Sequence, residues 1–249
     1  MRVIVRSIPD SFVNAVSRDP RRINVAKARR QHAAYVAALE NLAESVTVLD
    51  ADEDHPDCVF VEDQAVVHDG HALVTRAGHP SRRGESPPVR QALADQGLVL
   101  HDMAEPGTLD GGDVLRVGKT LYVGRSQRSN AEGLVRLFEV FGPLGFSVVP
   151  VDVSGLHLKS VCSSPVDGLV LLAPDTVRPD TFDGVEVIVV PEEEAHASNT
   201  VGVGSTVLVP GGCTITAAEL SNRGLTVIEV GTSEVRKADG ALTCCSLIF

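Results

Sequence analysis

The sequence predicts an α/β protein built as a closed radial array of hairpin-and-helix units, and three observations carry that prediction. A strand–turn–strand pattern recurs down the chain. Stretches of helical periodicity separate the copies. The last copy lacks a second strand, which the first residues of the chain can supply. An open mixed sheet with coincidental hairpins is the other reading of the same pattern.

The hairpins come in order. "FVEDQAVVHDGHALVTR" turns at Asp69-Gly70, and "LDGGDVLRVGKTLYVGR" turns at Gly118-Lys119. "LKSVCSSPVDGLVLLAP" turns between Pro165 and Gly168, and "NTVGVGSTVLVPGG" turns at Gly204-Ser205. "LTCCSLIF" begins a fifth copy, completed by the buried-strand pattern of "RVIVRS" at the start of the chain. Comparable points on these copies, Asp63, Asp113, Ser160, Asn199 and Cys244, are separated by 50, 47, 39 and 45 residues.

Between the hairpins, Val25, Ala28, His32, Tyr35, Val36, Leu39 and Leu42 recur at helical spacing, predicting a helix from about Asp19-Pro20 to Ser45. Pro20 suits a helix start. Pro87-Pro88 opens a second helix that Gly97 ends, and a third runs from Asn130 to Phe141 before Gly142-Pro143. A fourth spans Thr216 to Arg223, with Gly224 as its C-terminal signal. No linker or composition shift divides residues 1–249, so a single domain is expected.

Composition narrows the function classes. Hydrophobic residues are 43% and charged residues 22%, the balance of a globular chain, while the absence of tryptophan leaves the core to Val, Leu, Ile and Ala. A net charge of -11 argues against a nucleic-acid surface and is compatible with a cationic small-molecule substrate. The opening "MRVIVRSIPD" is too short in its apolar part for a signal peptide, and no run reaches membrane-spanning length, so no membrane partner is expected. The five cysteines are too few and odd in number for a disulfide scaffold, which points to the reducing cytoplasm.

In a radial array the starts of the first strands meet at the axis. That places Glu62, Asp63, Asp110, Asp113, His157, Asn199 and Cys244 together. Each alone has an ordinary structural reading, as a solvated charge, a satisfied histidine or a small strand residue. Jointly they are a chemical set. A cysteine nucleophile needs a neighbouring cation or base, which His157 supplies. Asp110 is placed to fix the imidazole tautomer, and Asp63 adds a second carboxylate able to hold a planar cation. Cys58, Cys162 and Cys213 read as packing, and so does Cys245, sent to the opposite face from Cys244 by strand alternation.

The segments "DCVFVED", "LDGGD", "RSNAEG", "LHLKS", "PEEEAHASN" and "DGALTCCSLIF" together resemble the dimethylarginine dimethylaminohydrolase family of the pentein superfamily, in order along the whole chain. The resemblance implies a five-bladed pseudo-symmetric α/β propeller of ββαβ units, closed by the N- and C-terminal strands. It implies Cys244 as nucleophile, His157 as general acid/base and Asp110 as its support. It assigns Asp63 to the guanidinium, Arg82 and Arg128 to the substrate α-carboxylate, and the Ala238 carbonyl to the α-amino group. Asp57 and Glu62 match further substrate-site positions, and Val16 falls in a loop covering the pocket. The implied reaction hydrolyses Nω-methylated arginines to citrulline through an S-alkylthiouronium on Cys244. No cofactor and no metal are implied, although soft Zn²⁺ would bind the thiolate and inhibit. A homodimer through a propeller edge is compatible with the family.

Arginine or other guanidine deiminases and amidinotransferases of the same superfamily are the alternative. Arginine deiminases carry an acid two residues after the histidine, where this chain has Lys159, and they have a long helical insertion that is absent here. A thiol sensor is the non-enzymatic alternative, disfavoured because adjacent cysteines form only a strained disulfide.

Overall fold

The computed structural model describes residues 1–18 and 22–249. Asp19 and Pro20, where the sequence places the opening of the first helix, lie outside the described residues. The helix that follows, α1 (Val25–Glu40), starts behind Asn24, whose side chain accepts a hydrogen bond from the Lys27 N–H. It ends short of Ser45 because that residue already begins a strand.

The described residues form five three-stranded sheets. In the first, β1 (Arg2–Arg6) passes through α1 and runs parallel to β2 (Ser45–Leu49). The second holds β3 (Ala65–His68), β4 (His71–Val74), α2 (Ser86–Asp95) and β5 (Val99–Asp102). The third repeats it with β6 (Val114–Val117), β7 (Thr120–Arg125), α3 (Ala131–Phe141) and β8 (Ser147–Asp152). The fourth has β9 (Cys162–Val166), β10 (Leu169–Leu172) and β11 (Glu186–Val189). The fifth has β12 (Val201–Val203), β13 (Thr206–Pro210), α4 (Thr214–Asn222) and β14 (Thr226–Val230). Finally β15 (Leu247–Ile248) pairs antiparallel with β1, Val3 opposite Ile248 and Ile4 opposite Leu247. The two ends of the chain therefore share one blade, and the array closes as a five-bladed α/β propeller.

The turns are where the glycines put them. Asp69 and Gly70 both take positive φ (50° and 77°) in the tight turn between β3 and β4. The fourth blade crosses from β10 to β11 without an α-helix, using only a 3₁₀ turn at Pro179–Thr181. That blade belongs to the shortest of the repeat spacings, 39 residues.

Burial falls off radially. The middle strands β10 and β13 are buried along their whole length, whereas every residue of the outer strands β2, β5 and β11 is exposed or half-buried. Buried apolar clusters fill the space beneath each blade, the largest side chains being Phe12, Phe141 and several leucines. Among the described residues, no helix is long and apolar enough to cross a membrane.

Candidate active site

Before each innermost strand the chain makes a 3₁₀ turn, and these turns meet at the centre of the propeller. They are Val61–Gln64, Gly111–Asp113, Leu158–Ser160, Glu192–Ser198 and Thr243–Cys245. The chemistry-bearing residues sit on or beside them. The last turn corrects one expectation. Cys244 and Cys245 lie in a 3₁₀ turn and not in a strand, because only Leu247 and Ile248 pair with β1. Their separation follows from the turn: Cys244 is half-buried at the cleft, whereas Cys245 is buried, 3.5 Å from the Ala241 carbonyl.

His157 is buried, with Nε2 2.9 Å from Asp110 Oδ2 and Nδ1 4.0 Å from Asp63 Oδ1. Burial would lower its pKa, but the Asp63 charge, the Asp110 hydrogen bond and the Asp113 charge lift it to about 9. Asp110 is fully buried and its Oδ1 accepts from the Gly78 N–H at 2.8 Å. Asp113, also fully buried, accepts from the Ser126 and Ser129 hydroxyls and from the Leu158 N–H, which pins the turn after His157.

Asp63 accepts from Arg82 Nη1 at 2.5 Å and from the Gly112 N–H at 2.9 Å. Burial alone would raise its carboxyl, but the His157 and Arg82 charges hold it at about 2. Burial pushes the Cys244 thiol well above its ordinary value, and the charges of Glu62 and Asp63 add to the effect. At neutral pH the unliganded pair is therefore thiol and imidazolium. Among the described residues no hydrogen bond joins Cys244 to His157.

Val16, Asp57, Phe60, Asp63, Arg82, Arg128, Leu156, His157, Ala238, Asp239, Gly240 and Cys244 line a narrow cleft of about 20 Å³. The Val16 N–H donates to both oxygens of Asp57 at 3.2 Å, which holds Val16 at the wall of the cleft. Arg128 Nη1 is buried there, has no hydrogen-bond partner among the described residues and pairs with Asp110 Oδ2 at 3.7 Å. Arg82 also lines the cleft, but each of its nitrogens already has a partner among Asp63, Glu85 and the Phe60 and Asp57 carbonyls. Asp110 stands behind His157. Glu62 departs from its expected place: it faces away from the cleft into a cavity of about 190 Å³, its oxygens taken by Lys159 Nζ at 2.6 Å and Thr243 Oγ1 at 2.8 Å.

The carboxylate and imidazole atoms of Asp63, Asp110 and His157 lie within 4.8 Å of one another, close enough for a cation to bridge them. The His157–Asp110 hydrogen bond and the Arg82–Asp63 ion pair already occupy that space. Sequence reasoning missed Glu85, which holds Arg82 and accepts from Gln64 Nε2 at 2.8 Å. The Arg82–Glu85 spacing was an available signal, since residues three apart face one another on a helical turn. Leu156 and Gly240 carry no such signal and reach the cleft only through the fold.

The family model described as N,N dimethylarginine dimethylhydrolase, eukaryotic, matches residues 6–196. The N(G),N(G)-dimethylarginine dimethylaminohydrolase of Pseudomonas aeruginosa is 36% identical over 251 residues, covering 100% of this chain and 97% of that protein. Its namesake from Streptomyces coelicolor is 40% identical over 242 residues, covering 96% of this chain and 92% of the relative. The solved structure of a cysteine-to-serine variant of the Pseudomonas aeruginosa protein, complexed with citrulline, superposes with a TM-score of 0.94 at 34% identity, covering 100% of this chain and 98% of that one. With its five blades and these full-length relatives, the chain belongs to the dimethylarginine dimethylaminohydrolase family of the pentein superfamily.

Proposed function

We propose that the chain hydrolyses asymmetric dimethylarginine and monomethylarginine to citrulline and dimethylamine or methylamine, with Cys244 as nucleophile. The observation that carries this reading is the buried pairing of His157 with Asp110 and Asp63 at one cleft with the Cys244 thiol. The Nη1 of Arg128, which has no hydrogen-bond partner among the described residues, takes the substrate α-carboxylate, with the Arg82 charge beside it, and the Ala238 carbonyl takes the α-amino group. Asp63 holds the guanidinium, Asp57 anchors the Val16 loop over the bound substrate, and Glu62 acts from behind the cleft through its charge.

The arriving guanidinium offsets the carboxylate charges that keep Cys244 protonated, so the thiol loses its proton to solvent as the site fills. The thiolate attacks the guanidinium carbon. His157, an imidazolium below about pH 9, gives its Nδ1 proton to the departing amine as the C–N bond breaks. The S-alkylthiouronium remains on Cys244. Neutral His157 then takes a proton from water, hydroxide adds to the same carbon, and the C–S bond breaks to give citrulline and the free thiol.

Citrulline release from dimethylarginine, monomethylarginine and arginine tests the assignment. The methylated substrates are expected to turn over much faster, and arginine winning would overturn it. Mass spectrometry of protein quenched during turnover is expected to place the adduct on Cys244. Two further expectations belong here: a homodimer through an exposed outer strand, read by light scattering, and a cytoplasmic location, in keeping with five free cysteines.

A further inference from the structure

Cys244 and His157 must act on one carbon, yet no bond between them sets their separation. Their geometry is inherited from the turns that carry them, and one buried side chain ties those two turns together. Asn199 is 2% exposed and stands at the end of the turn before β12. Its Nδ2 donates to the Lys159 carbonyl at 2.7 Å, two residues beyond His157, and to Thr243 Oγ1 at 3.0 Å. Its Oδ1 accepts from the Thr243 N–H at 3.0 Å, one residue before Cys244. The Thr243 hydroxyl passes on to Glu62, and Glu62 returns to Lys159, closing a ring beneath the nucleophile.

We propose that Asn199 is a positioning residue that sets the distance between nucleophile and acid/base, acting through Thr243 and the Lys159 carbonyl. The proposal rests on Cys244 being the nucleophile. The carboxamide suits the place as no carboxylate would: it must donate twice and accept once, and an Asp there would turn an acceptor toward the Lys159 carbonyl. The α-amino-acid end of the cleft, at Arg128 and Ala238, is built on other turns and makes no hydrogen bond to Asn199. Displacement of the turns should therefore reach the chemical step and leave binding alone.

The test compares Asn199→Ala, Thr243→Val and Thr243→Ser with the native protein in citrulline formation, thermal unfolding and Cys244 alkylation by iodoacetamide across pH. Asn199→Ala and Thr243→Val are each expected to lower kcat by roughly ten- to a hundredfold with KM within about threefold. Combined, they lose less than the product of the two, because both break the same link. Thr243→Ser, which keeps the hydroxyl, stays near native. The alkylation midpoint moves in Asn199→Ala and Thr243→Val but not in Thr243→Ser. A folded Asn199→Ala with unchanged kcat, or a loss confined to KM, overturns the proposal. If Asn199→Ala fails to fold, a Thr243→Val with native kcat overturns it equally. Alkylation does not depend on substrate, so a protein that makes no citrulline fails the functional assignment while this readout still judges the clamp.

Discussion

Glu62 and Asp63 are neighbours in one turn, both carboxylates and both buried, and the centre of the propeller treats them oppositely. Asp63 points into the cleft and is held ionised at about 2 by His157 and Arg82. Glu62 points to the far-side cavity, and there burial outweighs the Lys159 charge and pushes its carboxyl upward. The same division runs through the other turns. His157 and Cys244 line the cleft, while Lys159 and Thr243 line the opposite cavity. A partition one residue thick separates a reactive face from a bracing face. Burial alone does not decide what a carboxylate does; the charge and geometry of its partners do.

The sharpest way to break this comparison is at the adjacent thiols. Cys244→Ser is expected to lower turnover by about 10³-fold or more, since a hydroxyl at that place is a far weaker nucleophile. Cys245→Ser, in the packed interior, should stay within about threefold. Equal losses in citrulline release would mean that the turn does not sort the two side chains to different faces.

The carboxylates come next. Asp63→Asn removes the charge that supports the His157 proton and that the proposed reaction uses to hold the guanidinium, and kcat/KM is expected to fall about 10³-fold. Glu62→Gln keeps the shape and a hydrogen-bonding oxygen for Thr243 and should cost nearer tenfold. If steady-state kinetics show Glu62→Gln to be the more damaging, the far side carries chemistry and not bracing.

Gly112 tests how closely the two sides of the cleft are fitted. A Cβ there would meet Asp63 Oδ1 at 2.7 Å and His157 Nδ1 at 2.8 Å. Gly112→Ala must push one or both aside, and an expected loss of about 10² in kcat would follow from that misplacement. Gly155→Ala is the matched control, because its Cβ meets only the His157 carbonyl at 3.8 Å. A native rate in Gly112→Ala would show that the imidazole tolerates displacement.

Much of this arrangement was legible in the chain. Glycine turns such as Asp69-Gly70 and Gly118 fixed the hairpins, and their spacing placed Asp63, Asp113, Asn199 and Cys244 at one axis. The turn at Thr243–Cys245 was not legible, since "TCCSLIF" reads as an apolar, strand-like tail with no local helix signal. It is held by the Thr243 N–H bond to Asn199, a residue 44 positions away. Which way Glu62 and Asp63 face was hidden for the same reason, because Lys159 decides it from another blade and Arg82 from the far side of β4. Arg82 shows the limit of resemblance. The motif locates it at the cleft, but only the structure reveals that Glu85 and Asp63 already occupy its guanidinium.

The smallest expected effect concerns stability and pH, and it too belongs to the reactive face. The folded pKa of His157 is raised from 6.5 to about 9, so the folded state holds this proton more tightly than the unfolded chain. Its contribution is fully present below about pH 6.5 and is lost as pH rises through about 9. Asp63 works in the other direction. With its pKa lowered from 3.8 to about 2, it stabilises above about pH 4 and loses that contribution as pH falls through 2. Between pH 6.5 and 9.5 only the histidine of this pair titrates. The native protein is therefore expected to lose a few degrees of Tm over that range through this proton. His157→Gly should lack that part of the decline, and differential scanning calorimetry at the two pH values reads the difference directly. An identical pH dependence in both proteins would mean that Asp63 and Asp110 do not hold the imidazolium, and the electrostatic contrast between the two faces would fall with it.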